Sequence, residues 1–515
     1  MNGAESLVGT AAAAGVEVCF ANPGTTEMDL VRALDAVGGI RPVLGLFEGV
    51  CTAAADGYGR MAGRPALALL HLGPGLANGI ANLHNARRAG TPLVCLVGEH
   101  ATWHRRSDAP LQTDIEGLAR PASAWVRMSS AAAEVAVDTA AAIAAARSAP
   151  GVATLIVPAD CAWSEADGPA EVRAPTPPAP VADAVLDAAR RVLAGPAPVA
   201  LLLGGAALGE RGLRAAGRVA AATGCRLLAE TFPARWERGG DLPAPLRLPY
   251  FPEHATAVLA ASATVLLAGA RAPIAFFGYP GVPSDLTPPG TPVETLAEPG
   301  EDVVEALERL AGALGAAPAA PAPAEPPAAP AEPPPGPLTP AAAAAVIAAG
   351  QPEGAVVVDE GLTLSADYIA AAASAPRHTY LGVTGGAIGI GLPLAAGAAI
   401  ACPDRPVLCV QADGSGMYTV QALWTHAHEG LDVTTLVCAN RSYRILLEEL
   451  RRAGVEEPPA RARALTGLAD PPLDWVALGR GMGVPSERAT TAAELAAALE
   501  RALAEPGPHL VEMVL

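Results

Sequence analysis

The sequence predicts an α/β protein of three doubly wound parallel-sheet domains. Two observations carry that expectation. Short, near-continuous apolar runs alternate with alanine-rich helical stretches along the 515 residues, and proline-rich breaks cut the alternation into three blocks. Runs that are apolar on both faces, each followed by a helical stretch, describe strands of a parallel sheet covered on both sides.

In the first block, expected at 1–165, the runs are 66–71, 93–97 and 154–157. A break with five prolines in 167–181 precedes the second block, expected at 178–315, whose runs are 199–203 and 265–268. A Pro/Ala-rich linker is expected at 316–340, where eleven prolines fall between 318 and 340 and favour an extended, semi-rigid spacer. The third block, 341–515, holds runs at 355–358, 407–410, 434–438 and 510–514. Ligands of such sheets bind beyond the carboxyl ends of strands, so the residues that follow each run are the first candidates for a site.

Composition excludes several functions. All 34 residues counted as Lys plus Arg are arginine, so catalysis through the chain's own lysine Schiff base, or a phosphate loop with its lysine, is ruled out. The net charge of −18, with arginines scattered among more numerous carboxylates, argues against a nucleic-acid partner. Hydrophobic residues make up 51% but aromatics only 4%, so the cores must pack closely with small residues. The eight cysteines are far apart, several inside apolar runs, and read as buried thiols of a reducing, cytoplasmic setting. The first five residues show no signal-peptide pattern. The uncharged stretch 385–402 is rich in Gly and Ala and contains Pro393, which predicts a buried turn and helix and no membrane span.

The strongest chemical signal follows the run at 407–410. Asp413 stands after one strand and Asn440 after the next, 27 positions on, which brings two hard oxygen ligands to one sheet edge. Such a pair suits Mg²⁺ or Ca²⁺. Mg²⁺ in particular keeps few protein oxygens and completes its shell with water and phosphates. Gly414 and Ser415 would offer a backbone N–H and a hydroxyl to a diphosphate. Two ordinary strand-end turns would account for the same residues, because Asp-Gly and Asn are common in turns.

The Asp-Gly-Ser…Asn pattern resembles the cofactor motif of thiamine-diphosphate enzymes, and other landmarks of that family occur in order. They are Asn22-Pro23-Gly24-Thr25-Thr26-Glu27, Phe47-Glu48-Gly49, Asp56-Gly57-Tyr58-Gly59-Arg60, Gly73-Pro74-Gly75 and the segment from Gly385 to Pro393. The resemblance spans the chain and is closest to the benzoylformate decarboxylase and acetolactate synthase branch. It implies an N-terminal pyrimidine-binding domain, a central domain and a C-terminal diphosphate-binding domain. Asp413, Asn440 and the carbonyl of Ser442 would hold Mg²⁺, and Ser415 would touch the diphosphate, with Gly414, Thr363 and Tyr443 nearby. Gly386 would accept a hydrogen bond from the aminopyrimidine and Ile388 would hold the cofactor bent. Glu48 would share a proton with the pyrimidine, which promotes formation of the C2 ylid. Ala412 and Ala439 depart from the Gly and Asn usual at those positions but leave the ligand positions intact.

The resemblance further implies a 2-oxo acid decarboxylase/carboligase working through an enamine, with an acetolactate synthase-type transferase condensing two 2-oxo acids as the alternative. His71, directly after a run, matches an active-site histidine of benzoylformate decarboxylase and is a candidate acid/base, although a strand-end histidine is often only structural. Thr25, Glu99, His100 and Glu449 are candidates for the substrate pocket. A homodimer or homotetramer is implied, with sites shared between subunits. The rival enzyme class is an NAD-dependent oxidoreductase: Gly73 to Gly79 follows a strand and approaches a dinucleotide fingerprint, but its glycine spacing is one residue too long and Asp413…Asn440 is left unexplained.

Overall fold

The computed structural model describes residues 1–148, 151–316 and 336–515, so most of the expected linker lies outside the described residues. The chain forms two compact units, one of Met1–Thr176, Pro330–Ala371 and Val383–Leu515, the other of Pro177–Ala329 and Ala372–Gly382.

The first unit contains a six-stranded parallel sheet in the order Arg41–Leu44, Val18–Asn22, Ala66–Leu70, Leu93–Glu99, Val152–Pro158, Trp125–Met128. Alternate residues of its strands enter two separate cores. Cys19, Leu67, Leu69, Val94 and Leu96 face one side, and Phe20, Ala68, Cys95 and Val97 the other. This two-sided burial makes the strands read as continuous apolar runs instead of alternating ones. A second sheet of the unit carries Ser486–Ala489, His509–Val514, Val433–Ala439, Val407–Ala412 and Val356–Glu360, in that order and all parallel.

Helices Glu48–Ala62 and Gly391–Ala401 cross in direct backbone contact. A Cβ on Gly57 would stand 2.1 Å from the Leu394 carbonyl oxygen, and one on Gly397 would stand 1.9 Å from that of Ala54. The uncharged stretch at 385–402 is therefore a turn and a buried helix whose small residues admit a neighbouring helix. Among the described residues no helix is long and apolar enough to cross a membrane.

The second unit has a five-stranded parallel sheet in the order Leu246–Arg247, Arg226–Ala229, Val199–Leu203, Thr264–Ala268, Val293–Ala297. It also contains an antiparallel pair, Trp236–Arg238 with His378–Gly382, a departure from an all-parallel expectation. Trp236 and Arg238 are buried while Glu237 between them is less so, an alternation too short to stand out in a sequence.

Candidate active site

Four parallel strands of the N-terminal sheet deliver polar residues at their carboxyl ends. Asn22 leads to Thr25 and Glu27, the strand Arg41–Leu44 leads to Glu48, Ala66–Leu70 leads to His71, and Leu93–Glu99 ends on Glu99 before His100. Glu48 opens helix Glu48–Ala62, and its Oε2 accepts a hydrogen bond from Asn78 Nδ2 at 3.0 Å. His71 caps helix Leu72–Ala89. Both side chains border one small space: a Cβ on Gly75 would stand 3.4 Å from Glu48 Oε1 and 3.4 Å from His71 Cβ.

Glu27, which sequence reasoning left without a role, is fully buried behind His71. Its Oε2 lies 2.8 Å from His71 Nδ1 and accepts the Gly24 N–H at 2.8 Å, and its Oε1 accepts from the Thr26 hydroxyl at 2.6 Å. A carboxylate at Nδ1 selects the tautomer whose Nε2 is free to accept a proton. The arrangement depends on missing side chains, since a Cβ on Gly98 would lie 1.7 Å from Glu27 Oε1 and one on Gly24 would strike the His71 ring at 2.2 Å. Thr25 is exposed beside this group. Glu99 is buried, pairs with Arg105 at 3.4 Å and accepts the His100 N–H at 2.7 Å, and the rings of His100 and His104 meet edge to face at 5.4 Å.

At the carboxyl ends of the C-terminal strands, Asp413 is buried, with Oδ1 accepting from Gly414 N at 2.8 Å and Oδ2 from Arg441 N at 2.7 Å. Burial pushes its carboxyl above the ordinary range, and those main-chain donors oppose the shift. Asn440 Oδ1 accepts from Ser442 N at 2.9 Å while its Nδ2 donates to Thr363 Oγ1 at 3.0 Å. Arg441 between them takes a left-handed conformation, φ 56°, which folds the chain back toward Asp413. The turn thus gathers Asp413, Asn440, Ser442 and Thr363 at one edge.

Gly414 meets Tyr443, whose ring would lie 2.6 Å from a Cβ there. Ser415 Oγ accepts from Gln411 Nε2 at 2.7 Å, and the same amide donates to Glu360 Oε2 at 3.0 Å. Glu360 in turn holds the N–H groups of Gly389 and Gly391 at 2.6 and 2.7 Å, fixing the loop that bears Gly386 and Ile388. Burial raises the Glu360 pKa against these donors. Gly386 is exposed and Ile388 half-buried. Glu449 lies on helix Arg444–Arg452, which buries none of its residues, and pairs with Arg452 at 3.7 Å.

The donor set suits a hard cation and a diphosphate. Among the described residues no group of three or more His, Cys, Asp and Glu is placed to hold a metal. The edge offers one carboxylate, one amide oxygen and main-chain carbonyls, the donor chemistry of a Mg²⁺ that shares its shell with phosphate and water. A further buried acceptor, Gln411 Oε1, has no hydrogen-bond partner among the described residues.

Two family models match the chain: "Thiamine pyrophosphate enzyme, N-terminal TPP binding domain" over residues 1–119 and "Thiamine pyrophosphate enzyme, C-terminal TPP binding domain" over 363–513. A Mycobacterium tuberculosis protein named "Putative acetolactate synthase large subunit IlvX" is 52% identical, with 100% of this chain and 99% of that one covered. Benzoylformate decarboxylase of Pseudomonas aeruginosa is 31% identical over 97% of this chain and 96% of its own length. The solved thiamine diphosphate-dependent 4-hydroxybenzoylformate decarboxylase of Rhodococcus jostii RHA1 superposes with a TM-score of 0.86 at 26% identity, covering 100% of this chain and 99% of that one.

Proposed function

The chain belongs to the thiamine pyrophosphate enzyme family, and from that premise we propose that it is a Mg²⁺-dependent decarboxylase/carboligase of 2-oxo acids. The observation that carries the reading is the placement of Glu48 and His71 around Gly75, the Glu48 carboxyl oxygen and the His71 Cβ each 3.4 Å from where a Cβ on Gly75 would stand. When bound, thiamine diphosphate supplies a nucleophilic carbon for the 2-oxo carbonyl and a sink for the electron pair left by CO₂.

The chain's own residues do the rest. Glu48, held by Asn78, exchanges a proton with the pyrimidine ring of the cofactor. His71, oriented by Glu27, presents Nε2 to the substrate and moves a proton there. Asp413, Asn440 and the Ser442 carbonyl hold Mg²⁺, with Ser415, Gly414, Thr363 and Tyr443 at the diphosphate. Gly386 and Ile388 seat the cofactor, and Thr25, Glu99, His100 and Glu449 border the substrate. The working unit is a homodimer or homotetramer in which Glu48 of one copy faces Asp413 of another.

An acetolactate synthase-type condensation differs only in the last step, where a second 2-oxo acid replaces the proton. It is favoured by the name of the M. tuberculosis relative. Incubating the Mg²⁺-loaded protein with thiamine diphosphate and a panel of 2-oxo acids, and scoring CO₂, aldehydes and ligated products, separates the two. Aldehyde as the sole organic product supports the decarboxylase, and acetohydroxy acids support the synthase.

A further inference from the structure

Helix Leu72–Ala89 carries asparagines at 78, 82 and 85, spaced so that they share one face. Each is committed to a neighbour. Asn78 holds Glu48, and Asn82 Nδ2 donates to the Gly49 carbonyl at 3.0 Å. Asn85, wholly buried, donates to Asn82 Oδ1 at 3.0 Å and to the Ala387 carbonyl at 2.7 Å. Its Oδ1 accepts from Gly385 N at 3.1 Å and from Ala387 N at 3.3 Å.

Other groups pin the same turn from its flanks. Thr384 Oγ1 donates to the Asn85 carbonyl at 2.7 Å and accepts from Arg60 at 3.2 Å, and His84 Nε2 meets the Gly385 carbonyl at 3.2 Å. A Cβ on Gly385 would stand 2.7 Å from Asn85 Oδ1, so only glycine admits this grip. Gly386 forms the apex with φ +76°, and none of these bonds uses its carbonyl.

We infer that Asn85 is a positioning residue: its side chain fixes the turn at 385–387 so that the Gly386 carbonyl is presented to a donor on the pyrimidine end of the cofactor. The inference rests on the proposed cofactor reading and goes beyond it by naming the residue that sets the turn.

The test is a tryptophan-fluorescence titration of the Mg²⁺-containing apoprotein with three probes: thiamine diphosphate, oxythiamine diphosphate, which lacks the 4′-amino donor, and inorganic pyrophosphate. Asn85→Ala is expected to weaken thiamine diphosphate about tenfold, to erase most of its advantage over the oxy analogue, and to leave pyrophosphate within about twofold. Asn85→Ser, which keeps a smaller group able both to donate and to accept and adds no buried charge, is expected to fall between the unaltered protein and the alanine variant and carries the same comparison should the alanine variant not fold. Equal weakening of all three probes would mean a structural role and overturn the inference, as would an unchanged preference over the oxy analogue. Failure of the unaltered protein to bind thiamine diphosphate would sink the cofactor reading, and this inference with it, while pyrophosphate binding would still report an intact diphosphate end.

Discussion

Glu27 Oε2 lies 2.8 Å from His71 Nδ1 inside the N-terminal sheet edge, with Glu27 fully buried and His71 partly open. A buried carboxylate in this place orients the ring and leaves Nε2 as the working nitrogen. Gly24 and Gly98 supply the room that both side chains occupy.

Glu27→Gln keeps the shape but replaces the carboxylate with an amide. We expect kcat/KM for the preferred 2-oxo acid to fall about 10- to 100-fold, with cofactor affinity unchanged. Steady-state kinetics beside a cofactor titration checks this, and an unaltered kcat/KM would show that His71 needs no such partner.

Metal removal should be reversible. Exhaustive chelation is expected to abolish turnover, Mg²⁺ to restore it, and Asp413→Asn to raise the Mg²⁺ concentration needed for half-activation by about 100-fold. Activity that persists in the chelated protein would remove the metal from the account.

The strands that read most clearly in the sequence are those buried on both faces, such as Ala66–Leu70 and Val407–Ala412. The short pair at Trp236–Arg238 and His378–Gly382 gave no such run. Site residues at strand ends, Glu48, His71, Asp413 and Asn440, stood out because chemistry collects there and because motifs flank them. Glu27, Asn85, Gln411 and Glu360 did not. Each acts by gripping another residue, and only the folded chain brings Asn85 to a turn some 300 positions away. The asparagine spacing at 78, 82 and 85 was the one visible trace, and without a partner in view it looks like ordinary helix surface.

The buried pair Arg60–Asp56, bonded at 2.6 and 2.8 Å, with the Thr91 hydroxyl donating to the same carboxylate at 2.5 Å, joins helix Glu48–Ala62 to Thr384. Arg60→Met strands the Asp56 charge and should cost about 3–5 kcal/mol in denaturant unfolding. Adding Asp56→Asn should recover part of that loss, and no recovery would mean that the pair acts through packing alone.

His426 and His378 are buried and their pKa values are pushed down to about 4 by burial. His426 donates from Nε2 to the Leu392 carbonyl at 2.9 Å, so it folds as the neutral form. The unfolded chain takes up a proton at the ordinary histidine value, which makes stability full above about pH 6.5 and lowers it as pH falls toward 4, by at most about 3 kcal/mol per histidine. Urea unfolding between those pH values checks the slope. His426→Gln, whose amide nitrogen replaces the Nε2 donor to Leu392, should flatten it, and an unchanged slope would place the acid sensitivity elsewhere.

The most direct test of the central claim is CO₂ release from 2-oxo acids by the Mg²⁺- and thiamine diphosphate-loaded protein, measured for the unaltered chain and for Glu48→Gln. The account predicts cofactor-dependent CO₂ release from at least one 2-oxo acid, reduced about 100-fold or more by Glu48→Gln while the cofactor remains bound. Equal release by both proteins, each with cofactor bound, would contradict it.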